Sequence, residues 1–131
     1  MAKSALVDMQ VAVIKYLRES IGVLNVGDCF PQDNNLTYFV HLKEASVADI
    51  SNKHNIRARV SFTFHCISED TTKFLEILDA VQSLATTESL LLEAHNIDDV
   101  NITMYNTFVD TQVEKQTRNG VIQIEFDLTQ N

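Results

Sequence analysis

The fold class that this sequence predicts is α+β: a largely antiparallel sheet with two amphipathic helices packed on one of its faces. Three observations predict it. First, Ile56 to Cys66 alternates without a break, with Ile56, Ala58, Val60, Phe62, Phe64 and Cys66 on one side and Arg57, Arg59, Ser61, Thr63 and His65 on the other. Strand side chains point to opposite faces with period two, so this is a long central strand with one core face and one wet face. Second, Leu6–Ile21 and Phe74–Ala85 repeat apolar residues at helical spacing. Third, the elements run α-β-β-β-α-β-β, an order that lets two helices cover one side of a sheet.

Taken in order, Leu6, Met9, Val13, Ile14, Leu17 and Ile21 form the apolar face of the first helix, with Ser4 as N-cap and Gly22 as its stop. Val26 to Phe30 is a short extended segment leading into Pro31-Gln32-Asp33-Asn34-Asn35, the strongest turn signal in the chain. Leu36, Tyr38, Val40 and Leu42 alternate with Thr37, Phe39, His41 and Lys43 as a second strand. Both of its faces carry aromatics, so its back is expected to be covered too. Residues 45–55 lack a clean period and read as a loop.

After the central strand, Ser68-Glu69-Asp70-Thr71-Thr72 caps a second helix whose buried face is Phe74, Ile77, Leu78, Val81, Leu84 and Ala85. Thr86 to Glu93 fits a helix end, a short helix or the start of a strand. Val100, Ile102 and Met104 alternate with Asn101, Thr103 and Tyr105 as a strand running toward Val109. Residues 110–120 are polar and end in Asn119-Gly120, a turn pair; Ile122, Ile124, Phe126 and Leu128 then form a last strand. Asp49, Lys53 and His54 in the first polar stretch, and Gln112, Glu114 and Lys115 in the second, are expected to be mobile in the free protein and to order on assembly.

At 131 residues with 45% hydrophobic and 21% charged content, the chain reads as one domain over residues 1–131, large enough to close its own core. A net charge of −8 argues against a nucleic-acid-binding surface and against binding to an anionic membrane. The charge is uneven: residues 1–68 carry +1 and residues 69–131 carry −9. That acidic half is either a solvated face or a surface that repels DNA. Two cysteines, Cys29 and Cys66, fit a reduced cytosolic protein, and neither a leader nor an apolar run of about 20 residues is apparent.

The residues that could carry chemistry do not assemble into a recognisable constellation. His65 and Cys66 are neighbours on a strand, point to opposite faces and cannot form a dyad with each other. Cys66 shares the face of Phe62 and Phe64 and reads as a small core residue. Cys29 with His41 or His65 is geometrically open but unsupported by spacing. His41, His54, His65 and His95 have none of the ligand spacings of a zinc site, so no metal or cofactor is expected. Asp98-Asp99 reads as turn and edge solvation, and no glycine-rich phosphate loop exists. Arg57, Arg59 and His65 share one sheet face, which is either solvated or a contact surface in an oligomer.

The succession Leu6–Ile21, Val26-Gly27-Asp28-Cys29-Phe30-Pro31-Gln32 and Leu36-Thr37-Tyr38-Phe39-Val40 resembles the opening of the tail-terminator, or tail-completion, proteins of long-tailed bacteriophages. The continuation, Arg59–Ser68 into Phe74–Leu84 and a terminal two-strand hairpin, is similar in order and length. Thr37-Tyr38 stands where many such proteins have Pro-Tyr. The resemblance implies a structural, non-enzymatic role in the virion tail, with assembly in the host cytoplasm. It implies a homo-oligomeric, hexameric ring that caps the tail tube, meets the head-completion proteins and lets DNA pass without specific binding. Other neck or tail-tube components share similar small designs, and a cytosolic oligomeric binding module or a small enzyme using Cys29 are the further alternatives.

Overall fold

The predicted central strand lies in the middle of the sheet. The computed structural model describes residues 4–27, 37–86, 90–112 and 115–131. Its elements are α1 (Ala5–Ile21), β1 (Val26–Gly27), β2 (Tyr38–Asp49), β3 (Arg57–Ser68), α2 (Thr71–Gln82), β4 (His95–Gln112) and β5 (Lys115–Gln130), with 3₁₀ turns at Val23–Asn25 and Ser83–Ala85. The strands form one sheet in the order β1-β2-β3-β5-β4. β1 runs parallel to β2, and every other neighbouring pair is antiparallel. This is the α+β arrangement that the sequence predicts.

The alternation of β3 is the reason for the core. Val60, Phe62, Phe64 and Cys66 are fully buried, and across the ladder they meet Phe126, Ile124, Ile122 and Gly120 of β5. The Phe62 ring lies 6.0 Å from both Phe64 and Phe126, the latter edge-on, a favourable aromatic geometry. α1 lies over β1, β2 and β3 and buries Met9, Val13 and Leu17. α2 lies over β2, β3 and β5 and buries Phe74, Ile77, Leu78 and Val81. It sits so close to β5 that a Cβ on Gly120 would come within 2.8 Å of Leu78 Cδ2 and 3.3 Å of Phe74 Cζ. Caps hold both helices: Ser4 Oγ accepts from Val7 N–H, Asp70 Oδ1 accepts from Thr72 N–H, and Gly22 ends α1 at a φ of +141°.

Three stretches depart from expectation. Residues 45–49, read as part of a loop, belong to β2. A register shift between Leu42 and Glu44 moves the helix-side positions from Val40 and Leu42, which are buried, to Ala45 and Val47, which pair with Phe62 and Val60 but stay exposed. The change of phase erases the period that would have marked the strand. The true connection, residues 50–56, is tied by its own hydrogen bonds: Asn52 Oδ1 accepts from His54 and Asn55 N–H, and Ser51 Oγ accepts from Arg57 N–H.

Residues 110–120 also prove to be largely strand. β4 runs to Gln112, β5 starts at Lys115, and Asn119 and Gly120 pair with Ile67 and Cys66 inside the sheet rather than forming a turn. Small polar residues of poor intrinsic strand preference become strand here because the facing strands supply ladder partners. Finally, a shift between Ile102 and Met104 puts Met104 opposite Gln123 on the polar face, so Tyr105, not Met104, shares the face of Ile102.

Candidate functional site

Among the described residues, no three His, Cys, Asp or Glu side chains are grouped so as to hold a metal. Cys66 is fully buried in the core and burial pushes its thiol up to about 12, so it is inert as a nucleophile. Cys29 lies outside the described residues. His41 and His65 sit opposite each other on β2 and β3, both on the face away from the helices. Asp98 accepts from Thr129 Oγ1 and pairs with Arg57 at 3.4 Å, while Asp99 accepts from Val100 N–H and Asn101 Nδ2. Both carboxylates are therefore engaged in holding the end of the sheet.

The polar face of the sheet, where Arg57, Arg59 and His65 project, is matched within the chain. Arg59 holds Asp127 with two bonds, Nε to Oδ1 at 2.8 Å and Nη2 to Oδ2 at 3.2 Å. The pair lowers the Asp127 carboxyl below its ordinary value and raises the guanidinium. Asn119 Nδ2 donates to Thr117 O, so its Oδ1 accepts from His65 Nε2–H at 3.0 Å. Burial pushes the His65 imidazole below its ordinary value, and Lys43 and His41 act in the same direction, while the Asn119 bond opposes them. Less free positive charge stands on this face than the sequence implied. Of the other assembly positions, Lys53 and His54 lie in the connection 50–56, Asp49 ends β2, Gln112 and Lys115 flank the end of the β4–β5 hairpin, and Glu114 lies outside the described residues.

Among the described residues, two apolar surfaces remain uncovered, one on β4 and one on α1. The first is on β4. Ile102, Tyr105 and Val109 pair with Ile124, Ile122 and Arg118, so they point to the helix side. Neither helix reaches over them, and they are 42%, 42% and 46% exposed. Phe108, opposite Asn119 on the other face, is exposed as well. β4 also forms the outer edge of the sheet, and its hairpin with β5 continues past Arg118, the residue that pairs with the last position of β3. At about 3.3 Å per residue, the stretch beyond Arg118 reaches roughly 10 Å past the body.

The second surface is on α1. Besides the buried stripe of Met9, Val13 and Leu17, the helix carries Val7, Val11 and Ile14 about 125° further round at roughly 100° per residue. With Val23 they line a groove of about 610 Å³, edged by Lys15, Arg18 and Glu19. A helix apolar on two sides is suited to two partners, and the described residues supply only one.

One buried polar link joins these regions. Asp8 in the first turn of α1 accepts from Glu93 N–H at 3.2 Å, Ala94 N–H at 2.9 Å and His95 Nδ1–H at 2.8 Å. His95 is the first residue of β4. Both side chains are over nine-tenths buried. Burial pushes the Asp8 carboxyl up, but the bonds from His95, Ala94 and Glu93 together outweigh it and hold the group below its ordinary value. Sequence reasoning missed this pair because its members lie 87 residues apart and neither belongs to a local motif. The Val7/Val11/Ile14 stripe was missed as well, because Ile14 was counted with the buried face of α1.

No protein-family profile matches the chain, and no curated protein matches it in sequence. Among solved structures, the chain is similar to one from the virion of a native gene transfer agent particle. The TM-score is 0.68 at 18% identity, over 95% of this chain and 99% of that one, so the two share a fold from end to end.

Proposed function

We propose that this chain is a structural protein of a phage-like virion, and specifically a tail terminator: a protomer of a ring, hexameric in the form the sequence resemblance implies, that caps the tail tube and meets the head-completion proteins. The observation that carries the reading is the fold likeness to a virion component over nearly the whole of both chains. The sequence resemblance to tail terminators supports it independently. So does the presence, among the described residues, of two different uncovered apolar surfaces, one on β4 and one on α1. Different patches meet head to tail, and head-to-tail contacts close into rings when the rotation permits.

The net −9 of residues 69–131 suits a passage that DNA crosses without binding, because like charge keeps phosphate off the wall. In this reading Arg57, Arg59 and His65 form a polar rim of the contact between protomers, and the segments around Lys53, His54 and the β4–β5 hairpin end order against tail-tube or head-completion partners. The protein then resides in the virion tail after assembly in the host cytoplasm.

Electron microscopy of tail tubes polymerised with and without the protein tests the role. Tubes that stop growing and carry a ring at one end are the expected result. A protein that joins the tube along its length is a tube component, and one that ignores tubes and stays monomeric or dimeric is a binding module.

A further inference from the structure

We draw no further inference here: the strongest candidate, the apolar groove that Val7, Val11, Ile14 and Val23 form on α1, is edged by charges of both signs at Lys15, Arg18 and Glu19, and nothing in the structure shows what covers it.

Discussion

β3 and β4 carry the same kind of pattern and meet different fates. In β3, Val60, Phe62 and Phe64 alternate with polar residues and are fully buried. In β4, Val100, Ile102 and, after one register shift, Tyr105 and Val109 also occupy the helix side, yet the last three stand 42–46% exposed. The difference is not in the strands but in what lies over them. The two helices cover the sheet from β1 to β5 and meet β4 near its start, where Asp8 binds His95, while the stretch from Ile102 to Val109 stays exposed. Alternation in a sequence reports that a face is meant to be covered; it does not report that the cover belongs to the same chain. An apolar face left open on an edge strand is a hazard that proteins usually suppress, so its retention points to a partner.

The sharpest way to break the comparison is to truncate one residue from each strand. Phe62→Ala should cost about 3–5 kcal/mol, because it empties a fully enclosed site where two other aromatic rings lean. Tyr105→Ala should change the stability of the monomer by only about 0.5 kcal/mol, as exposed positions do. Urea unfolding of both variants checks this, and comparable losses would mean that β4 is covered in the monomer after all.

Asp8→Ala comes next in size. It strips the acceptor from three buried donors at once, and a loss of about 2–4 kcal/mol is expected. The effect depends on pH with a definite sign. The folded Asp8 carboxyl titrates below its ordinary value of 3.8, so its contribution is fully present above 3.8 and disappears as pH falls through the lowered folded value. Thermal unfolding of wild type and Asp8→Asn should therefore show a gap at neutral pH that narrows below 3.8. A gap that is constant down to strong acid would contradict the ion-stabilised link.

Gly120→Ala should cost about 1–3 kcal/mol through crowding of Leu78 and Phe74, with the lower figure reached if the Leu78 side chain swings away. Calorimetry of that variant reports how tightly α2 is seated on β5. The smallest effect on the monomer is expected from Arg59→Glu, which exchanges one exposed ion pair for a repulsion with Asp127. In the assembly the same change should weaken the rim in a way that fades with added salt, since exposed charges are screened within about 8–10 Å. Sedimentation at low and high salt measures it.

Much of this architecture was legible in the residues. α1, β3, α2 and the second half of β5 announce themselves because each keeps a regular apolar period, and local pattern suffices for such elements. The second half of β2 was hidden because the shift at Leu42/Glu44 reverses the phase, so Ala45 and Val47 look like noise beside Val40 and Leu42. Asn119 and Gly120 looked like a turn because the pair is favourable in turns, whereas here Gly120 is the one residue small enough to sit under α2. The candidate surfaces were not legible. Ile14 was counted with the buried face of α1, so the Val7/Val11 side went unnoticed, and the exposure of Tyr105 depends on where both helices land. The Asp8–His95 link is a product of the tertiary fold alone.

The central claim is that copies of this chain join into a ring, with the open face of β4 at a contact between them. The most direct measurement is the mass of the wild-type protein by sedimentation over a range of concentrations, alone and with tail-tube subunit, beside Tyr105→Asp under the same conditions. One closed species of fixed subunit number for the wild type, with the variant held at the monomer, is the predicted result. A wild type that remains monomeric throughout, or a variant that assembles as the wild type does, would contradict it.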